Sequence, residues 1–143
     1  MNKITAIVYE DIPSFRTLML KGSANDPELD TSKIYLKLAE KGTDPDMIST
    51  KSLKAGDEVS VTIKGSSVWR ATLSEDTPAG TLVSCDGDGK IRWTQVGEHA
   101  RYIGYSLENG KAGDVIHFAR KTGTVGTVIG TDMEDMTDNG KEI

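Results

Sequence analysis

The chain has 143 residues, a formal net charge of -5 and one cysteine. That length points to one domain able to bury a real core. The lone Cys85 excludes a disulfide framework within the chain, and an acidic chain without a basic stripe argues against nucleic-acid binding.

Hydrophobic residues make up 36% and aromatics 6%, with 15 glycines, a balance that suits a turn-rich β domain better than a helix bundle. No run of 18 apolar residues is present, so no spanning helix and no membrane association are expected. The N-terminus lacks the apolar core of a signal peptide, so synthesis inside a cell is expected.

In chain order, Ile4 to Tyr9 has strand propensity and Ile12-Pro13 interrupts it. Phe15 to Gly22 is a second extended candidate, and the polar stretch 23–31 with Asp26-Pro27 is a loop. Lys33 to Lys41 fits a strand through alternating Ile34, Leu36 and Leu38, or a short helix closed by Gly42. Residues 1–50 hold three of the four prolines and few apolar residues, so they are expected to form an extended N-terminal arm, mobile alone; the alternative is edge strands on the common core.

Residues 51–123 are the expected β-barrel-like core. Val59, Val61 and Ile63 alternate with polar residues, as do Trp69, Ala71 and Leu73, the mark of half-buried antiparallel strands. Leu82 to Cys85, the Asp86-Gly87-Asp88-Gly89 turn and Ile91 to Thr94 form a predicted hairpin. Arg101 to Leu107 and Asp114 to Arg120 supply two more strands, and residues 96–100 have room for one helical turn. The expected class is all-β, or β-rich α+β, as a small antiparallel β-barrel or β-tulip-like domain. Three Ala-Gly turns, at 54–57, 78–81 and 111–114, look like one turn type reused at unequal spacing. Residues 124–143 carry a last strand or link and an acidic tail, expected to be mobile.

Chemical motifs are sparse. Set against an EF-hand loop, Asp86 and Asp88 are well placed, but Ser84 and Gln95 occupy the first and twelfth positions, so the bidentate carboxylate is missing and a plain hairpin turn is the better reading. His99 and His117 lack zinc spacing with each other or with Cys85, and no nucleophile elbow or phosphate-cradling loop is present. No enzyme activity, metal or cofactor is expected. Cys85 reads as a small buried apolar residue, and Trp69 and Trp93 as core residues or, if exposed, interface anchors. Lys51, Lys54, Lys64 and Arg70 leave room for a local basic patch.

Between Trp69 and Arg120 the chain resembles bacteriophage head decoration, or cement, proteins. The residues that carry this are Glu75 to Val83, Asp86-Gly87-Asp88-Gly89-Lys90-Ile91, Tyr102 to Glu108 and Lys111 to Ile116. The resemblance implies a structural virion protein that binds the outside of an expanded head and stabilises it. It implies a homo-oligomer, with a trimer favoured, against the major capsid protein, located on the outer surface of the virion and made in the host bacterial cytoplasm. On that reading Ile4, Ile7, Tyr9 and Phe15 are expected to anchor the arm to the capsid. The competing reading is a carbohydrate- or surface-binding β module, or a tail or fibre component, favoured if Trp69, Trp93, Tyr102 and Tyr105 share an exposed face.

Overall fold

In the computed structural model, residues 3–22, 26–62, 67–94 and 100–125 are described. They are all-β. The strands are β1 (Lys3–Val8), β2 (Thr17–Lys21), β3 (Tyr35–Leu38), β4 (Met47–Ile48), β5 (Glu58–Thr62), β6 (Val68–Thr72), β7 (Leu82–Asp86), β8 (Lys90–Trp93), β9 (Ala100–Ser106) and β10 (Val115–Val125).

They form two five-stranded sheets, ordered β4-β2-β3-β1-β5 and β6-β10-β9-β7-β8. A parallel bridge between Leu73 and Ile91 brings the β6 end of the second sheet back to β8, so that sheet closes on itself. Each sheet has its own core. Ala6, Val8, Ile12, Leu18, Leu36 and Met47 fill the first. Trp69, Ala71, Leu73, Val83, Cys85, Ile91, Ile103, Ile116 and Phe118 fill the second, joined by Ala39 from the first unit.

The expected N-terminal arm is therefore corrected. Residues 3–48 supply four strands of the first sheet, and the boundary falls after β5 rather than at residue 50. The prolines misled because they sit between strands: Pro13 separates β1 from β2, Pro27 lies in the β2–β3 loop, and Pro45 precedes β4. Within residues 33–41 the chain forms a strand, β3, rather than a helix, and it pairs in parallel with β1 in an otherwise antiparallel sheet. The proposed helical turn at 96–100 falls mainly on residues outside those described, as do His99, Lys64 and residues 126–143 of the tail; Thr124 and Val125 end β10.

The two units share one pairing scheme. Leu18↔Leu38 through Lys21↔Tyr35 in β2–β3 corresponds to Val83↔Trp93 through Asp86↔Lys90 in β7–β8. Thr17↔Ile48 and Leu18↔Met47 correspond to Leu82↔Tyr105 and Val83↔Gly104. Ile7↔Glu58 corresponds to Thr72↔Val115, and the parallel contact Val8↔Leu36 to Leu73↔Ile91. The turns agree too. Lys54 donates its N–H to the Asp57 carboxylate and Ala55 to Asp11, as Lys111 does to Asp114 and Ala112 to Asp76. Two of the three Ala-Gly turns are thus equivalent positions of a duplicated unit. The third, at 78–81, corresponds to residues 13–16: Gly80 and Phe15 donate to the Ser106 and Ser49 carbonyls, and the Ser106 and Ser49 hydroxyls donate to the Pro78 and Pro13 carbonyls.

The units join where the β7–β8 hairpin tip meets the start of β2. Thr17 donates its N–H (2.7 Å) and its hydroxyl (3.0 Å) to the Gly89 carbonyl. Arg120, from β10, donates to the Ile103 carbonyl and the Asp44 carboxylate and lies over the Trp69 ring at 4.4 Å.

Gly89 has φ +70, and a Cβ there would lie 2.6 Å from the Thr17 carbonyl oxygen. Gly89→Ala is expected to lower stability by about 3 kcal/mol, from overpacking and left-handed strain together. Gly87, exposed with open space around it, should tolerate alanine within about 0.5 kcal/mol. Urea midpoints of the two variants check this contrast; equal midpoints refute it.

Burial pushes the Cys85 thiol up, against smaller opposing hydrogen bonds from Thr17 and Thr43. The neutral thiol is favoured in the folded state, so this contribution is complete below the unfolded thiol's range near pH ~8.5 and is lost as pH rises through the folded value. Native Cys85 should react with a thiol-specific disulfide reagent at pH 8 at least about a hundredfold slower than the urea-unfolded chain. Equal rates would contradict its burial.

Candidate functional site

The chemistry-bearing side chains singled out in the sequence are engaged in contacts within the fold. Asp86 accepts the Ser74 hydroxyl at 2.6 Å and the Gly87 N–H at 3.1 Å, and the Asp88 carbonyl accepts from Arg16, so the Asp-Gly-Asp-Gly turn is tied into the fold. His117 Nδ1 lies 2.7 Å from Glu108, whose carboxyl is held below its usual range by hydrogen bonds from the His117 backbone and ring. Both groups are exposed, and the pair ties β10 to the preceding turn. Among the described residues no three His, Cys, Asp or Glu side chains converge on a metal-sized site.

What the fold does provide is a groove. A cavity of about 790 Å³ lies between β4, β5 and β6, with Leu18, Leu36, Met47, Val59 and Val61 among the apolar residues that line it. Phe15 and Trp69 line it too, with Lys51 and Arg70 as its cations.

Phe15 has φ 56, where its counterpart in the second unit is Gly80 at φ 77. A bulky residue there is strained by about 1 kcal/mol or more. The position is held by its neighbours. The Phe15 N–H donates to the Ser49 carbonyl at 2.7 Å, and its carbonyl accepts the Thr72 N–H at 2.9 Å and hydroxyl at 3.0 Å. The Arg70 guanidinium lies over its ring at 4.6 Å.

The residues singled out in the sequence fall in different places. Phe15 and Trp69 share the groove. Trp69 is only 8% exposed, packed edge-on against Phe118 at 6.1 Å. Trp93 is 37% exposed on β8 and does not line the groove. Ile4 and Ile7 are half-buried within β1, and Tyr9 is exposed, edge-on to Tyr35 at 6.5 Å with Lys21 over its ring. Of the suspected basic patch, Lys51 and Arg70 meet at the groove. Met47 was missed, and the groove position of both Met47 and Leu36 carries no local signal, because it arises from strands far apart in sequence. Val59 and Val61 announced themselves by alternation.

The model of the family described as head fiber protein matches residues 2–143. A head fiber protein of Bacillus phage Nf is 28% identical over 122 residues, covering 85% of this chain and 44% of that protein. A capsid fiber protein of Bacillus phage B103 is 26% identical over 141 residues, covering 99% of this chain and 47% of that protein. The chain thus spans less than half the length of these relatives. The fold matches the crystal structure of the N base of head fiber gp8.5 in bacteriophage phi29, with a TM-score of 0.72, 18% identity, and coverage of 90% of this chain and 98% of that one. At that identity the match is one of fold. With the family model spanning almost the whole sequence, the chain belongs to the phage head fiber protein family.

Proposed function

We propose that this chain is the base by which a head fiber is fixed to the outside of the expanded phage head, where it contacts the major capsid protein and stabilises the shell. The observation that carries this is the head fiber family match across residues 2–143. The relatives' names, head fiber and capsid fiber protein, support a structural and non-enzymatic role. The likeness to a protein described as an N base supports an attachment role for the β units themselves. Assembly as a homotrimer on the outer surface, after synthesis in the host bacterial cytoplasm, is the arrangement the decoration-protein resemblance implies. Many copies on one lattice gain avidity from individually modest contacts.

The fiber part of the competing reading merges with this proposal. Its carbohydrate-binding part has less support, because the aromatic platform it requires is divided: Trp69 is buried, while Trp93 and Tyr105 are exposed on different strands.

The purified chain is expected to co-sediment with fibre-less heads of its own phage and to saturate at a fixed number of copies per head that is a multiple of three. Absence of binding to heads that still accept their native fibers overturns the proposal. Saturable binding on a glycan array, without head binding, would favour the carbohydrate module.

A further inference from the structure

The second unit is closed by β9 and β10, which pair as Phe118↔Ser106 and Ala119↔Tyr105. Transferred to the first unit by the shared register, that seam would place Ser49 opposite Val61 and Ile48 opposite Thr62. Among the described residues no such pairing exists: β4 and β5 are the two outer strands of the first sheet. Ile48, Ser49, Ser60 and Val61 instead line the groove. The groove is therefore the missing seam of a barrel whose twin is shut.

Two differences between the units fall at the opening. In the second unit Gly104 sits at the seam, and a Cβ there would lie 2.2 Å from the Ala119 carbonyl oxygen, so closure demands glycine. Its counterpart is Met47, whose side chain is buried and lines the groove. Gly80 is the other, replaced by Phe15 despite the positive φ. Both exchanges put a large apolar side chain at the opening, and at the Gly104 position closure leaves no room for one.

We infer that this seam receives an extended segment of the head shell protein, which adds as a strand between β4 and β5. The inference rests on the capsid-attachment reading above. The outward edges of β4 and β5 offer backbone donors and acceptors, and the apolar floor of Leu18, Leu36 and Val61 takes alternate side chains of the incoming strand. Charge defines the segment further. The groove's acids are engaged: Asp46 accepts the Leu20 N–H at 2.9 Å, and Glu58 pairs with Lys33 at 3.7 Å. Lys51 and Arg70 are exposed and have no carboxylate within ion-pairing distance among the described residues. The partner is thus a strand with apolar residues at alternate positions and a carboxylate where it passes these cations, long enough to match the five residues of β5.

The test uses Phe15→Gly, Arg70→Glu and the unaltered chain on fibre-less heads, with amide exchange of free and bound protein. Phe15→Gly relieves the positive φ, as Gly80 does in the twin, so the fold is expected to persist. Arg70→Glu alters an exposed side chain and decides the question if Phe15→Gly fails to fold. Each variant should raise the half-saturating concentration about tenfold or more. Exchange at 47–49 and 58–61 should slow on heads while exchange at β7 stays unchanged. Unaltered binding by both variants, with no slowing at the seam, overturns the strand-addition inference and leaves capsid attachment intact. If the unaltered chain fails to bind competent heads, both fall. Seam protection in the free protein that grows with concentration assigns the seam to a second copy; protection in the free monomer that vanishes when 126–143 are removed assigns it to the chain's own C-terminal segment. Either result overturns the inference.

Discussion

One carbonyl oxygen is the buried anchor of the junction between the two units. The Gly89 carbonyl accepts both the N–H and the hydroxyl of Thr17, a fully buried residue whose own carbonyl accepts the Ala39 N–H at 2.9 Å. A threonine buried there without these partners would be costly, so the hairpin tip and the start of β2 cannot part independently. The approach is possible only because residue 89 has no side chain. Neighbouring contacts follow from it. Arg16 reaches the Asp88 carbonyl, and Phe15, one residue earlier, is placed as the groove wall.

From that junction the two units take different forms of one plan. The second closes, with Gly104 permitting tight backbone approach and Gly80 taking its positive φ without strain. The first keeps the same register but carries Met47 and Phe15 at those positions and stays open. Local rules of foldability are broken at Phe15, and such departures concentrate where a structure serves something other than its own stability. The closed twin is the internal control: it shows that this strand scheme can shut, so the open seam reflects the residues at it.

Much of the second unit was legible in the sequence. The Asp-Gly-Asp-Gly hairpin forms with Asp88 and Gly89 both at positive φ, and the alternation at 69–73 marks a real strand, as the alternation of Val59 and Val61 does for β5 of the first sheet. The first unit was less legible. Its strands are short, its buried face in β1 is carried by Ala6 and Val8, and its prolines fall between strands while reading as interruptions. The duplication was hidden because its spacing changes along the chain. Corresponding residues lie 65 apart at Leu18 and Val83, 55 apart at Leu38 and Trp93, and 57 apart at Met47 and Gly104. The β2–β3 connection is a long loop where β7–β8 is a tight hairpin, so no single period survives. The groove was illegible for the same reason: it exists only between strands whose pairing, or failure to pair, is set by the tertiary fold.

The arrangement also reconciles an acidic chain with two exposed cations at the groove. A net charge of -5 keeps copies of the chain from sticking to one another indiscriminately, whereas Lys51 and Arg70 act only within about a Debye length of the opening. Selectivity then resides in geometry: a ligand must be extended to meet both edges, apolar to fill the floor, and acidic where it crosses the mouth. The closed unit contributes rigidity, held to the seam by Arg120 stacked on Trp69 and bonded to Asp44. Because the groove wall is anchored to a barrel that cannot open without breaking its own ladder, the open seam is pre-shaped for its partner, and less ordering entropy has to be overcome on binding.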